Sequence, residues 1–124
     1  MARKRARQAV VPVTPANIRV DGVALDDEDR AQIRRTTRTR FGKYGRAVER
    51  VTVRIRDVNG PRGGVDIECR IKVVLSGLPS VVVERRTASF ESSFTTALTA
   101  AARSVSQALR RRRMRPIRAT RPRS

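Results

Sequence analysis

Two stretches of alternating side chains, joined by turn-forming residues, constrain the fold of this chain more than any other feature. Apolar residues occupy every second position from Val51 to Ile55, and the same alternation runs from Val65 to Leu75. Between them, residues 59–64 read Asn-Gly-Pro-Arg-Gly-Gly. A period of two is typical of strands with one buried face, and these turn residues favour a chain reversal. The pattern therefore predicts an antiparallel hairpin.

A first helix is predicted before the hairpin, from Asp27 to Tyr44. At 100° per residue its inward-facing side chains fall within an arc of about 80°. These are Ile33, Thr37, Phe41 and Tyr44. The acidic run Asp26–Asp29 stands at the start of this helix, where carboxylates cap free amide groups and interact favourably with the helix dipole.

A second helix is predicted after the hairpin and has the clearest periodicity in the chain. Its apolar face consists of Phe90, Phe94, Ala97, Leu98, Ala101, Val105, Ala108 and Leu109. Ser89 is the expected cap, and Glu91 lies in the first turn, where the dipole favours an anion. We expect the helix to continue into Arg110–Arg113 and to end before Pro116.

Two shorter strands complete the predicted fold. Ile18 and Val20 alternate with polar neighbours up to Gly22, and Ser80–Arg85 follows a turn, although its three valines leave its inward face open. The order β-α-β-β-β-α predicts an α+β fold with a four-stranded mixed sheet, in which the first two strands are parallel. Each strand has one apolar face, so both helices are expected on one face of the sheet.

Charge is distributed unevenly along the chain. The formal net charge is +18, and all eleven carboxylates lie between Asp21 and Glu91. Residues 1–16 carry four basic side chains and residues 110–124 carry eight, with no acid in either segment. We expect a disordered basic arm at 1–16, one folded domain at 17–113 and a disordered basic tail at 114–124. Such a field attracts polyanions, above all a nucleic-acid backbone.

The residue inventory argues against several kinds of site. The chain has no histidine and a single cysteine, Cys69, so it lacks the commonest general base, an internal disulfide and an adequate set of zinc ligands. Cys69 alternates with core positions, which predicts an inert buried thiol. The glycine-rich loop precedes a strand, which favours a turn over a phosphate-binding loop.

The remaining carboxylates do not predict catalysis. Asp66 and Glu68 share a strand face with Arg70 and Lys72, so pairing across a solvated sheet explains them. We therefore expect no enzyme, no cofactor and no metal. No apolar run is long enough to cross a bilayer, and a cytoplasmic protein is expected.

The basic residues of the two helices provide the strongest functional signal. Residues 30–46 contain seven basic groups and no acid, and the second helix has no acid after Glu91. A solvated helix face normally carries mixed charge, so a surface of one sign favours contact with RNA. The four aromatic residues lie on inward helix faces, so binding should depend on charge and shape rather than on base stacking.

The chain resembles the ribosome hibernation-promoting factor family, also described as ribosome-associated translation inhibitors, in its short single-domain form. The resemblance covers about Asn17 to Arg113. It rests on the β-α-β-β-β-α order and on the stretch from Val51 to Arg70, which reads VTVRIRDVNGPRGGVDIECR. As in that family, a valine-rich strand and an alanine-rich final helix follow. The resemblance implies a factor that binds the decoding region of the small ribosomal subunit and stops translation in arrested cells.

The resemblance also implies which residues contact ribosomal RNA. They are Arg35, Arg38 and Lys43 on the first helix, Arg70 and Lys72 on the third strand, and Arg103 and Arg110 on the second helix. The positive charge of the helices and tail adds Arg46, Arg111, Arg112 and Arg113. The implied partner is the small ribosomal subunit with its ribosomal RNA. No membrane, small-molecule substrate or obligatory oligomer is expected.

Two other interpretations stay open. The α-β-β-β-α portion has the element order of double-stranded RNA-binding domains, which predicts a general duplex RNA or nucleoid-associated binder. Those domains lack a strand equivalent to Ile18–Val20, so pairing of that segment into the sheet distinguishes the two. A structural ribosomal component with basic tails is the third interpretation, and it would be stoichiometric on translating ribosomes.

Overall fold

Strands and helices follow one another along the described part of the chain. The computed structural model describes residues 17–22, 25–59 and 65–114. The strands are β1 (Ile18–Gly22), β2 (Val48–Asn59), β3 (Val65–Leu75) and β4 (Val81–Thr87). The helices are α1 (Asp27–Phe41) and α2 (Phe90–Met114), with a 3₁₀ segment, Gly42–Ala47, after α1. The predicted arm at 1–16, the hairpin turn at 60–64 and the tail beyond residue 114 lie outside the described residues.

The four strands form one mixed sheet in the order β1-β2-β3-β4. β1 runs parallel to β2, and the β2–β3 and β3–β4 pairs are antiparallel. Val51 lies opposite both Ile18 and Val73, so the alternating apolar positions of neighbouring strands fall on one face. The predicted α+β fold with a four-stranded mixed sheet is confirmed, including the hairpin and the parallel first pair.

One apolar core occupies the face on which these positions meet. Val51, Val53, Cys69, Ile71 and Val73 are completely buried there. Residues of both helices join the same cluster, namely Ile33 and Phe41 from α1 and Phe94, Ala97, Leu98, Ala101 and Val105 from α2. A single cluster that draws on both helices favours the prediction that they cover the same face of the sheet.

The start of α1 is fixed by a reciprocal cap. The Asp26 carboxylate accepts a hydrogen bond from the Asp29 amide at 2.8 Å, and the Asp29 carboxylate accepts one from the Asp26 amide at 3.3 Å. Arg30 donates to the carbonyl of Gly22 at 3.0 Å, which ties the helix to the end of β1. The predicted acidic helix start is confirmed, and its carboxylates satisfy amides that the first turn leaves free.

The end of α1 differs from the prediction. The α-helix stops at Phe41 instead of Tyr44, and the chain continues as a 3₁₀ segment to Ala47. Gly45 in this segment has a φ of +55°, a conformation that glycine adopts at little cost. Tyr44 still packs against the core, so the side-chain periodicity continues past the point where the α-helix ends.

The structure shows which valines of β4 face the core. Val83 is buried and Val81 packs against the core, whereas Val82 is 47% exposed.

α2 begins as predicted, because the Ser89 hydroxyl accepts a hydrogen bond from the Ser92 amide at 3.2 Å. The helix continues through the arginine run to Met114.

Replacing Asp26 by alanine should lower the free energy of unfolding by about 1 kcal/mol, because the substitution removes the hydrogen-bonded cap of α1. Asp27→Ala is the matched control: it removes a charge of the same sign from the same helix end and leaves the cap intact. That control should cost only about 0.3 kcal/mol. Urea denaturation followed by circular dichroism measures both variants. Equal losses would show that charge alone, and not the cap, stabilises this helix start.

Candidate nucleic-acid interface

A groove lined by cations and hydroxyl groups runs between α1 and α2, and we call it the helix groove. It consists of two adjoining cavities of about 580 and 360 Å³, which share Arg40 and Lys43 in their linings. The cationic side chains are Arg35, Arg40, Lys43, Arg103 and Arg110. The neutral polar residues are Thr36, Thr39, Tyr44, Thr95, Thr99, Ser106 and Gln107, and the apolar residues are Phe94, Leu98 and Ala102.

Helical spacing brings these side chains to the groove. On the α1 side, Arg35, Thr39 and Lys43 recur every four residues, and on α2 Thr95, Thr99 and Arg103 do the same. Residues four apart lie on one face of a helix, so each helix presents a row of hydrogen-bond donors to the other. Arg40 spans the gap, with its Nη2 donating to the Thr99 hydroxyl at 3.4 Å.

The cations of the helix groove have no carboxylate counterpart in the described part of the chain. None of the described carboxylates lines the groove. Ion pairs among the described residues join Arg56, Arg70 and Arg86 to Glu68 and Glu84, all on the sheet. Lys43 instead places its Nζ 5.4 Å from the centre of the Tyr44 ring, within range of a cation–π contact. The groove therefore presents uncompensated positive charge.

The predicted RNA-binding residues of the two helices divide into groove and non-groove positions. Arg35, Lys43, Arg103 and Arg110 line the helix groove together. Arg38 is not among the lining residues, and its Nε is buried without a hydrogen-bond partner among the described groups. Arg46 is exposed in the 3₁₀ segment.

The arginine run at the end of α2 lies beside the β3–β4 turn. Arg111 and Arg112 line a separate cavity of about 410 Å³ together with residues 78–81. Arg112 Nη1 donates to the carbonyl of Ser76 at 2.8 Å, so this guanidinium group also holds the turn against the helix. The side chain of Arg113 lies outside the described ones.

Arg40 belongs to the groove although the sequence did not identify it as a site residue. On a helical wheel it lies about 20° from Ile33, at the edge of the stripe expected to face the core. In the structure Arg40 is exposed and contacts α2 through Thr99. Only the position of α2 relative to α1 shows that this edge of the stripe faces a groove.

A second group of cations lies on the sheet face away from the core. Arg19, Thr52, Arg54, Arg70 and Lys72 line a cavity of about 270 Å³, which we call the sheet patch. Strand pairing places Arg54 directly opposite Arg70, and it places Thr52 between Arg19 and Lys72. The sequence indicated Arg70 and Lys72 as site residues. Arg19 and Arg54 join them because β1 and β2 pair in this register.

Glu68 lies farther along the same sheet face and is compensated by two guanidinium groups. Its carboxylate accepts a hydrogen bond from Arg56 at 2.8 Å and lies 3.5 Å from Arg86. Glu68 is only 7% exposed, yet the hydrogen bond from Arg56 outweighs burial and lowers its pKa. Pairing across the sheet is thus found for Glu68, with partners on β2 and β4 instead of Arg70 and Lys72. Asp66 forms no ion pair with a described residue.

Cys69 has the properties of the predicted inert thiol. It is completely buried, and burial, with a contribution from the charge of Glu68, raises its pKa to about 12. The thiolate is the reactive form of cysteine, so this side chain is neutral and shielded at physiological pH.

Residues 17–22, 25–59 and 65–114 contain neither a metal-binding cluster nor a membrane-spanning helix. Within these ranges, no group of His, Cys, Asp and Glu side chains could hold a metal ion. No helix of these ranges is long and apolar enough to cross a membrane.

No family model matches this chain, and no curated protein matches it with significant similarity. The chemistry of the helix groove and the sheet patch indicates what kind of ligand suits them. Guanidinium, ammonium and hydroxyl donors without competing carboxylates suit a ligand that carries many phosphate groups.

Glu68→Gln should reduce the fall in the free energy of unfolding at acidic pH, the acid limb of the stability profile. Because folding lowers the pKa of Glu68, its stabilising contribution is present above the ordinary value of 4.5 and is lost as the pH falls through the lowered value. Urea titrations from neutral to acidic pH would measure this loss in the wild type and its absence in the variant. Arg56→Thr should reproduce most of the change. An acid limb that is identical in wild type and Glu68→Gln would contradict the assignment.

Proposed function

We propose that this protein is a non-enzymatic ribosome-binding factor that occupies the decoding channel of the small subunit and inhibits translation in arrested cells. The observation that carries the proposal is the helix groove, with five cations and no described carboxylate in its lining. The partner is the small ribosomal subunit, bound through its ribosomal RNA in the cytoplasm. Binding requires no cofactor, membrane, small-molecule substrate or oligomer.

The donors of the groove suit an RNA backbone. Arginine binds a phosphate through paired N–H groups. The threonine and serine hydroxyls and the Gln107 amide can donate to phosphate oxygens or accept from a ribose 2′-hydroxyl. Phe41 and Phe94 are buried in the core. Tyr44, the partly exposed aromatic residue of the groove lining, packs against that core and has the Lys43 Nζ 5.4 Å from its ring centre. The groove lining therefore offers no fully exposed ring on which a base could stack. Recognition then depends on charge and on the shape of a folded RNA.

The resemblance to ribosome hibernation-promoting factors supplies the target within the ribosome. In that family, basic residues on the helices face ribosomal RNA in the decoding region. Four of the positions implied by the resemblance, Arg35, Lys43, Arg103 and Arg110, lie together in the helix groove. A body bound there would overlap the path of messenger and transfer RNA, and so block initiation or elongation.

The first strand favours this proposal over a double-stranded RNA-binding domain. β1 pairs along its whole length with β2, from Ile18 opposite Val51 to Gly22 opposite Ile55. Double-stranded RNA-binding domains have no strand before their first helix. The parallel β1–β2 pair therefore supports the family that has one.

Sucrose gradients of stationary-phase cells in low-salt buffer should show the protein sedimenting with small subunits or whole ribosomes. Protein that stays at the top of the gradient would overturn the proposal. Equal affinity for purified subunits and for bulk duplex RNA would favour a general RNA binder instead. Stoichiometric presence on actively translating ribosomes would favour a structural component.

The double substitution Arg40→Gln/Arg103→Gln should weaken binding to purified small subunits, because it removes two phosphate contacts from the helix groove. The slope of log affinity against log salt should become shallower by about 1.4 to 1.8. Glutamine is used because it preserves helix propensity. The control, Arg85→Thr/Arg86→Thr, removes two charges from β4 outside the groove and should leave the slope unchanged. Equal slopes in all three proteins would mean that the groove does not contact RNA.

A further inference from the structure

We propose that the sheet patch is a second nucleic-acid site, which takes the phosphates of an RNA segment separate from the one in the helix groove. One molecule would then hold two RNA segments at once. The inference rests on the proposed function only for the identity of the polyanion. It goes beyond that function because it assigns Arg70 and Lys72, together with Arg19 and Arg54, to an RNA segment other than the one in the helix groove.

The geometry of the sheet patch concentrates charge on three adjacent strands. β1 contributes Arg19, β2 contributes Arg54, and β3 contributes Arg70 and Lys72. Paired strands lie about 4.8 Å apart, so these four cations surround the hydroxyl of Thr52 within one cavity of about 270 Å³. Several guanidinium groups and an ammonium group converging on one hollow form a site for an anion with several oxygen acceptors.

This concentration of charge opposes folding. Arg54 lies directly opposite Arg70, and like charges in that relation destabilise a sheet. Asp21 lies opposite Arg54 on the other side, yet among the described residues no ion pair joins them. Glu84 reaches Arg70 only at 3.6 Å, with both side chains about half exposed. The patch thus retains most of its charge, which an anionic ligand would neutralise.

The neighbouring part of the same sheet face provides an internal comparison. There Glu68 lies between Arg56 and Arg86, within 2.8 and 3.5 Å of their guanidinium groups. A buried carboxylate compensates the arginines at that end of the face, and no carboxylate lines the sheet patch at the other. Because it lacks such an internal carboxylate, the patch is the part of this sheet face where an external anion would bind.

The sheet patch and the helix groove are separated by the core. The patch residues alternate along β2 and β3 with Val51, Val53, Ile71 and Val73, which point into the core. Residues of both helices pack into that same core, so the core separates the helices from the patch. An RNA segment seated in the groove leaves the patch free for a second segment.

Lysine footprinting separates this inference from the proposed function in one experiment. The chain contains three lysines, of which Lys43 lies in the helix groove and Lys72 in the sheet patch. The full-length protein is acetylated during titration with a structured RNA hairpin, and mass spectrometry measures the rate at each lysine. We expect several-fold slower acetylation of both lysines at saturating RNA. An unchanged rate at Lys72 overturns the inference, and an unchanged rate at Lys43 overturns the groove contact of the proposed function.

The same acetylation experiment, with polyglutamate added at the same total charge in place of RNA, tests whether the patch prefers a nucleic acid to an acidic polypeptide. A folded RNA holds its phosphates at fixed spacing, whereas flexible polyglutamate must lose conformational freedom to place several carboxylates in the patch. Much weaker protection of Lys72 by polyglutamate than by RNA supports a nucleic-acid site. Equal protection would assign the patch to an acidic protein and overturn the inference.

A bridging assay tests whether both sites act at once. Donor- and acceptor-labelled copies of the hairpin should show energy transfer when full-length protein is added, and excess protein should abolish it by occupying each RNA separately. Arg54→Thr/Lys72→Thr should lose most of the transfer while still binding one hairpin. The control Arg85→Thr/Arg86→Thr carries the same net charge and should bridge like the wild type. Wild-type bridging by Arg54→Thr/Lys72→Thr overturns the inference.

Thermal melting excludes misfolding as the cause of lost bridging. Threonine is favoured in strands, and the substitution removes the like-charged pair Arg54 and Arg70. The patch variant should therefore melt at or above the temperature of the wild type. A lower melting temperature would show that the patch cations stabilise the free protein. That result would contradict the inference that they repel one another until an anion binds.

Discussion

The register of the β2–β3 hairpin is the constraint on which the rest of this structure depends. Val51 lies opposite Val73 and Val53 opposite Ile71, so the alternating apolar positions of the two strands meet on one side. A slip of one residue would expose these side chains and bury arginines in their place. The core and the charged outer face of the sheet are thus two results of one pairing. The helices complete the fold by packing into the side that the pairing makes apolar.

Four of the eleven carboxylates of the chain form side-chain hydrogen bonds or ion pairs with described residues. Asp26 and Asp29 close the cap of α1, and Glu68 is held between two arginines. Glu84 lies against Arg70, where both groups remain exposed to solvent. The basic side chains of the chain outnumber its acids, so many of them have no acidic partner. Within the described residues, the helix groove and the sheet patch are two places where several of these cations lie together.

Periodicity in the sequence was sufficient to identify the elements but not the surfaces they form together. The alternation around the hairpin and the apolar face of α2 depend on neighbours two or four residues away, so both can be recognised from the sequence alone. The end of α1 was misplaced because the chain continues after Phe41 as a 3₁₀ segment, and side-chain periodicity does not distinguish a short 3₁₀ segment from the last turn of an α-helix. Arg40 was missed because its place in the groove depends on α2. Arg19 and Arg54 were missed because the patch depends on how three strands align.

The uncompensated charge of the helix groove has a kinetic consequence for the proposed function. Its field extends about 8 to 10 Å into solution at physiological ionic strength, so it draws in RNA before any contact forms and raises the rate of association. Such capture is fast for every polyanion, whether or not its shape fits. Discrimination must then lie in dissociation: an RNA that engages both helices at once stays bound, and one that meets a single row of donors soon leaves. Residence time, rather than encounter, is where this protein would tell one RNA from another.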